Sequence, residues 1–418
     1  MLNLKDQKIE NIFIFVSDSL RWDFTPEKVK KMGITLKTIA SSLYTASSFA
    51  SIISGLYPPK HGVYTWQDIL PRNVRGLLGF DTHTVSLWCE TTWTDLPPDK
   101  SQIHTILGDP AGISLENIES PFIYIEDDKG GHCPYGYSFG EFMGGGCPDF
   151  FKEYGKKSRA KLIKQYKRGI EQSVMQFEKR LRILEERGLV NNTLVIFTSD
   201  HGELLGEYGG LIGHGRPPCP ELTYVPTVFI HPSFKQELLT NGLCRHVDLY
   251  PTIAGILGVD GVYTTDGVNL TEALNLPKRG LNFKKEEHHE SKDNRSKKWK
   301  YGCNSIWDYN GGHIFHDLNK NKGGLMFFYK IFIKKHPEFN FLRERNSRLK
   351  ITERFHNYVV AIKGLSKSHI KYNQPNLSKN QAKRLIEKYL AGIVEIKTKK
   401  TVIDEEVEKR LRALGYLD

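Results

Sequence analysis

Long apolar runs are absent from this chain: no stretch approaches the eighteen or so consecutive apolar side chains that a membrane-spanning helix needs. The opening MLNLKDQKIENIFIFVSD gathers only about five apolar residues before Asp18, too few for the core of a secretory signal. Cysteine is scarce, six residues in 418 with no CxxC pair, so neither a disulfide scaffold nor a zinc ribbon is encoded. Free thiols and a cytoplasmic location are the expectation. Internal repeats and Gly/Ser-rich tracts are missing as well, and so is any helix-turn-helix, zinc-finger or RNP-like signature. A specific nucleic-acid binder is therefore not expected.

What remains is the composition of a globular protein, with 39% hydrophobic and 26% charged residues. Charge is unevenly spread. Residues 1–270 carry 27 Lys/Arg against 31 Asp/Glu, whereas 271–418 carry 32 against 17, so the whole positive excess lies in the last third. Such a field attracts anionic substrates or surfaces, although a solvated face is its commonest meaning.

The hydrophobic pattern predicts alternating strands and helices. NIFIFV (11–16) reads as a buried strand ending at Asp18, PFIYIEDD as a second ending at Asp128, and LVIF (194–197) as a third delivering Asp200 and His201. Thr25-Pro26 has the chemistry of a helix start. Thr45 to Gly55 reads as a short helix opened by hydroxyl residues and closed by glycine. Leu162, Tyr166, Ile170, Val174, Phe177, Leu181 and Leu184 recur at helical spacing, predicting an amphipathic helix over 158–187. This alternation implies a layered α/β sheet. A polar stretch follows at 277–300, with nine Lys/Arg against four acids, and is expected to be a linker or exposed loop. Beyond it, 301–418 reads as a smaller unit with strands in GGHIFHD and YVVAIKG and a terminal helix in DEEVEKRLRALGYLD.

Three strand ends thus present acids or imidazoles: Asp18, Asp128 with His132 four residues on, and Asp200 with His201. Ligands of open α/β sheets bind beyond the carboxyl ends of strands, where these groups would converge with His214 of the GHG segment. Each taken singly has an ordinary structural reading, as a turn, a cap or a loop. Jointly they form a mixed imidazole and carboxylate set, which suits zinc, manganese or iron better than calcium or magnesium.

At this point the chain resembles the sulfatase branch of the alkaline phosphatase superfamily. The residues that carry the resemblance are VSDSLRWD, SxxSGLYPPKHGV (51–63), LVIFTSDHGELLGE (194–207), GHG (213–215), RHVDLYPTIAGILGV (245–259) and RLRALGY, in family order over nearly the whole chain. The resemblance implies a three-layer α/β/α sandwich over 1–276 with a smaller C-terminal α+β subdomain. It also exposes departures. Sulfatases carry CxPxR or SxPxR ten residues before the glycine of GxYP, and its first residue becomes formylglycine. Here that position is Thr45, in Thr45-Ala46-Ser47-Ser48-Phe49, with neither cysteine, proline nor arginine. Threonine cannot become formylglycine. Asp18-Ser19 stands where sulfatases tend to have two adjacent acids, and His214 stands near where they have a lysine.

These departures make the chain similar to nucleotide pyrophosphatase/phosphodiesterases, which use an unmodified threonine nucleophile and two divalent metals, zinc or manganese. That similarity implies one metal on Asp18, Thr45, Asp200 and His201, and another on Asp128, His132 and His214. A threonine hydroxyl is a poor nucleophile at neutral pH unless a cation lowers its pKa. The helix N-terminus at Thr45 would also offer N–H groups to an anion. Thr45 as a mere cap, or Ser47 or Ser48 as nucleophile, are the alternatives. Arg216 is a further position for contacting the substrate anion, and His246 and Asp248 are read as structural, with a role behind a metal as the alternative. The expected activity is hydrolysis of a phosphate mono- or diester, on a small molecule or a polymer, through a phospho-threonine. The rivals are a sulfuric ester hydrolase, a phospho-group transferase and a catalytically silent anion binder.

Overall fold

The computed structural model describes residues 7–89, 101–137, 146–214, 217–259, 263–290, 297–317, 320–335, 339–394, 398–401, 403 and 405–413. Strands of the two main sheets and the longer helices are numbered here in chain order. The first sheet has seven strands: β1 Asn11–Ser17, β2 Ile34–Ile39, β3 Thr84–Cys89, β4 Phe122–Asp128, β5 Thr193–Thr198, β6 Tyr224–Ile230 and β7 Glu237–Arg245. Their spatial order is β7-β2-β6-β5-β1-β4-β3, with β6 alone antiparallel to its neighbours.

Every residue of β1 is buried, as a strand covered on both faces must be. Its alternation sorts the core into two layers. Ile12, Ile14 and Val16 join one cluster with Ala46, Phe49, Ile52 and Ile53 of helix α1 (Thr45–Ser54). Phe13 and Phe15 join the other with Leu162, Tyr166, Ile170, Val174 and Phe177 of helix α2 (Arg159–Glu186). Helix α3 (His246–Leu257) lies on the α1 side through Leu249 and Ile253. The result is the three-layer α/β/α sandwich expected from the sequence. Helix α2 is opened by Ser158, whose hydroxyl accepts from the Lys161 N–H, and α1 is closed by Gly55 at φ 68°. The predicted start at Thr25-Pro26 is displaced by one residue. Pro26 occupies the cap position of the turn Glu27–Lys30, while the Thr25 hydroxyl donates to the Arg21 carbonyl.

Within 277–300 the described residues form strands rather than a linker. The stretch holds β8 (Arg279–Glu290) and the start of β9 (Lys297–Asp308), which continue with β10 (Gly311–His316) and β11 (His369–Asn373) as an antiparallel sheet. Its charge count hid an alternating apolar pair: Leu281 and Phe283 pack with Tyr57 and Val247 of the first domain. The smaller unit adds helices α4 (Lys320–Phe328), continued by a wider turn Tyr329–Ile333, α5 (Ile351–Ser366), α6 (Lys379–Ala391) and α7 (Glu405–Ala413). YVVAIKG, expected as a strand, lies inside α5. Its Ala361 and Leu365 point into a cluster with Phe327, Ile331 and Leu342, and this tertiary burial overrides the strand preference of Val359, Val360 and Ile362. The chain end returns to the first domain: Lys399–Lys400 pairs with Asp68–Ile69, and Leu411 of α7 joins the α1 core. All six cysteines are buried free thiols.

Candidate active site

The strands that end in acids are adjacent at the centre of the sheet. Val16 of β1 lies opposite Asp127 of β4 on one side and Thr198 of β5 on the other, so the residues just beyond these three positions share one edge. Turns bring them closer. Ser19 takes φ 60°, and its N–H donates to Asp200 Oδ1 (3.1 Å) while its hydroxyl donates to Asp18 Oδ1 (2.7 Å). Gly130, at φ 51°, lets the β4 turn pass over β1; a Cβ there would stand 2.4 Å from the Asp18 carbonyl oxygen.

Thr45 arrives from the opposite side, as the first residue of α1. The chain before it is fixed by His246: the Ser41 N–H donates to His246 Nδ1 (3.3 Å), and Nε2 donates to the Ser199 carbonyl (2.9 Å). This buried imidazole therefore bridges the segment leading to Thr45 and the one leading to Asp200, which is the structural role expected of it. Burial lowers its pKa to about 4, keeping it neutral. Asp248 accepts from Arg245 and caps α3.

Asp18, Asp200 and His201 are fully buried, and ligand atoms from all three lie within 4.8 Å of one another. The Thr45 hydroxyl is 3.3 Å from His201 Nε2. His201 Nδ1 faces the Gly202 carbonyl at 3.0 Å, and His132 Nδ1 faces the Cys133 carbonyl at 2.7 Å. A carbonyl can only accept, so both rings carry a proton on Nδ1, which leaves Nε2 as the atom that could meet a metal. His214 Nδ1 meets Glu203 Oε2 at 3.0 Å, the same anchoring by a carboxylate. The three rings pack together, with centroids 4.3 Å apart for His201 and His214 and 5.2 Å for His132 and His214.

Such a cluster is electrostatically unfavourable by itself. Asp200 Oδ2 lies 3.2 Å from His201 Nε2 without making a hydrogen bond, and Asp18 Oδ2 and Asp127 Oδ1 have no hydrogen-bond partner among the described residues. Burial, then the charges of Asp200 and Asp127, push the Asp18 carboxyl well above its usual range. Burial and the nearby His214 push His132 well below its own. Burial raises Glu203 to about 8, against the hydrogen bond it accepts from the Tyr135 hydroxyl at 2.5 Å. Buried carboxylate oxygens and imidazole nitrogens that converge in this way are what a divalent cation stabilises, and the donor set fits one.

Of the residues singled out in the sequence, the structure brings Asp18, Thr45, Asp200, His201, His132 and His214 into one buried region. Asp128 is buried beside them: its carbonyl accepts from the Asp18 N–H at 2.9 Å, and its Oδ1 accepts from the Gly130 N–H at 2.9 Å. By strand alternation Asp127 follows Ile123 and Ile125 onto the α1 side, and its charge is felt by Asp18. Asp127 was not anticipated, because two adjacent acids at a strand end do not reveal which one turns inward. Glu203 and Tyr135 were missed too. The one signal for Glu203 was its place two residues after His201 in SDHGE. Arg216 lies outside the described residues.

With this geometry in hand, relatives are informative. The low-salt glycan biosynthesis sulfotransferase Agl7 of Haloferax volcanii is 31% identical over 98% of this chain and 96% of its own. The sulfatase family model matches residues 136–259. The chain belongs to the sulfatase family. Among solved structures, a 2-O GAG sulfatase superposes with a TM-score of 0.55 at 13% identity, covering 82% of this chain and 94% of the other. The phosphonate monoester hydrolase of Agrobacterium radiobacter gives 0.54 at 13%, covering 87% and 100%. At such identities these two superpositions speak for the fold. The chain is thus a sulfatase-family enzyme, of a family whose members use divalent metals.

Proposed function

We propose that the protein is a metal-dependent phosphate-ester hydrolase whose nucleophile is the Thr45 hydroxyl. The observation that carries this reading is the position of Thr45 Oγ1, 3.3 Å from His201 Nε2 at the mouth of the Asp18/Asp200/His201 cluster, on the first residue of a ten-residue helix. Asp18, Asp200 and His201 would hold one divalent ion, and His132, His214 and a β4 aspartate a second; zinc or manganese suits these ligands. A cation bound there supplies the acidity that makes the hydroxyl ionisable and neutralises charge on a phosphoryl oxygen.

The chain's own part is positioning. The N–H groups of the first turn of α1, at the positive end of the helix, would meet the anion. Thr45 Oγ bonds to phosphorus as the ester P–O bond breaks, and the departing alkoxide takes up a proton. Water then attacks the phospho-threonine, giving up a proton as Thr45 regains its hydroxyl. Glu203 and the Cys133 carbonyl keep His214 and His132 oriented with Nε2 towards the reacting groups.

A second reading is transfer of a sulfuryl group to a glycan, favoured by the 31% identity to Agl7, a protein named a glycan biosynthesis sulfotransferase. Rates on p-nitrophenyl phosphate, bis-p-nitrophenyl phosphate and p-nitrophenyl sulfate, with added zinc or manganese, separate the two. Phosphate-ester turnover that vanishes in Thr45→Ala is expected. Sulfate turnover that survives in that variant would sink the nucleophile assignment.

A further inference from the structure

Helices α4 and α5 bury one side and leave the other bare. Phe327, Ile331, Ala361 and Leu365 pack inward against Leu43, Leu204 and Leu211. On the outside stand Leu325 (71% exposed), Phe328, Tyr329, Ile333 (64%), Ile351 (79%) and Phe355 (72%). These positions share a helical face within each helix: 325, 328, 329 and 333 in one, 351 and 355 in the other. Phe332 joins the two halves, its ring tilted against Phe328 at 4.8 Å and meeting Tyr358 edge-on at 4.7 Å. Six large apolar side chains on one pair of helices are not the scattered exposure normal for a protein surface.

The charge around them identifies the occupant. Residues 320–371 contain thirteen Lys/Arg and three acids, which is almost the entire net charge of +11. Exposed Lys335 follows Ile333, exposed Lys350 precedes Ile351, and Lys363 lies two turns beyond Phe355 on α5. Leu, Phe, Tyr and Ile projecting from helices rimmed by lysine match the boundary between acyl chains and anionic headgroups. A folded protein partner would match the apolar part but gives no reason for so one-sided a cationic rim.

We infer that α4 and α5 dock this protein peripherally on an anionic lipid bilayer, with Leu325, Phe328, Ile333, Ile351 and Phe355 inserted among the headgroups. No described helix is long and apolar enough to cross a membrane, so the attachment is to one surface. The inner side of the same pair packs on Leu43, two residues before Thr45, and on the hairpin that follows His201. Docking therefore holds the active-site segments about one helix diameter, roughly 10 Å, from the bilayer. This inference does not depend on the chemistry of Thr45.

Flotation of the full chain with vesicles tests it, comparing phosphatidylcholine alone with phosphatidylcholine containing phosphatidylglycerol. Binding only to the anionic vesicles, weakened by salt, is expected. The exposed substitutions Leu325→Ser and Phe355→Ser should each weaken binding roughly tenfold, and Lys335→Gln and Lys350→Gln about fivefold each. Circular dichroism and thermal unfolding of the variants should match the parent. Absence of binding to either vesicle, or binding that ignores all four substitutions, overturns the inference. So does self-association in light scattering that Leu325→Ser and Phe355→Ser abolish, because the face would then belong to a second copy.

Discussion

At the residue scale, the site rests on imidazoles fixed in one tautomer by what their second nitrogen touches. The same device operates away from it. His61 Nδ1 accepts from the Val63 N–H at 3.1 Å and Nε2 donates to the Ser51 hydroxyl at 3.0 Å, so this fully buried ring must stay neutral. Burial lowers its pKa from 6.5 to about 3. The unfolded chain therefore binds a proton that the folded chain does not, and stability falls as pH drops from about 6.5 towards 3, by about 1.4 kcal/mol per pH unit for each such group. His246, at about 4, acts in the same direction over a narrower range. We predict that His61→Asn, which keeps an acceptor for the Val63 N–H, flattens the pH dependence of urea unfolding between pH 4 and 6 by one proton. An unchanged slope would show that His61 is protonated in the native state. Thr45→Ala should lose phosphate-ester turnover by roughly 10³-fold or more while unfolding as the parent does. Thr45 was legible as a candidate nucleophile from its distance to GLYPP and from the missing cysteine. The inward turn of Asp127 was not, because side-chain direction at a strand end depends on register with neighbouring strands.

At the scale of elements, α2 is held to the sheet by more than its apolar stripe. Arg180 donates to both oxygens of the fully buried Glu126 on β4, at 3.0 and 2.8 Å. Removing the guanidinium leaves a carboxylate stranded in the core. Arg180→Met should cost about 3–5 kcal/mol in chemical denaturation, and Arg180→Met with Glu126→Leu should recover most of it. A double variant no more stable than the single one would contradict this account. The elements themselves were readable wherever one period dominated: β1, β4, β5 and α2 lie where their patterns place them. Reading failed where local and long-range preferences conflict. The β-branched run in α5 looked like a strand until Ala361 and Leu365 found their cluster. The lysines and glutamates of β8 looked like a linker because their number obscured Leu281 and Phe283.

At the scale of the molecule, the second unit braces the segment that leads to Thr45. The antiparallel sheet reaches the Thr45 side directly: the Asn282 side chain donates to the Ala40 carbonyl at 2.7 Å, and the Phe283 N–H donates to Ser41 O at 2.9 Å. Because buried carboxylates and imidazoles from separate segments gather at Asp18, Asp200 and His201, divalent ions should stabilise the whole fold. Zinc or manganese at about 100 times its dissociation constant should add about 2.7 kcal/mol per independent site. Scanning calorimetry with and without chelator checks this, and a melting temperature indifferent to metal would argue against a cation site. The central claim is that Thr45 takes up the transferred group. Its most direct test is peptide mapping by mass spectrometry after acid quench of the metal-loaded protein turning over p-nitrophenyl phosphate. The account predicts one phosphoryl group on Thr45; a phosphoryl group on Ser47 or Ser48 instead would contradict it.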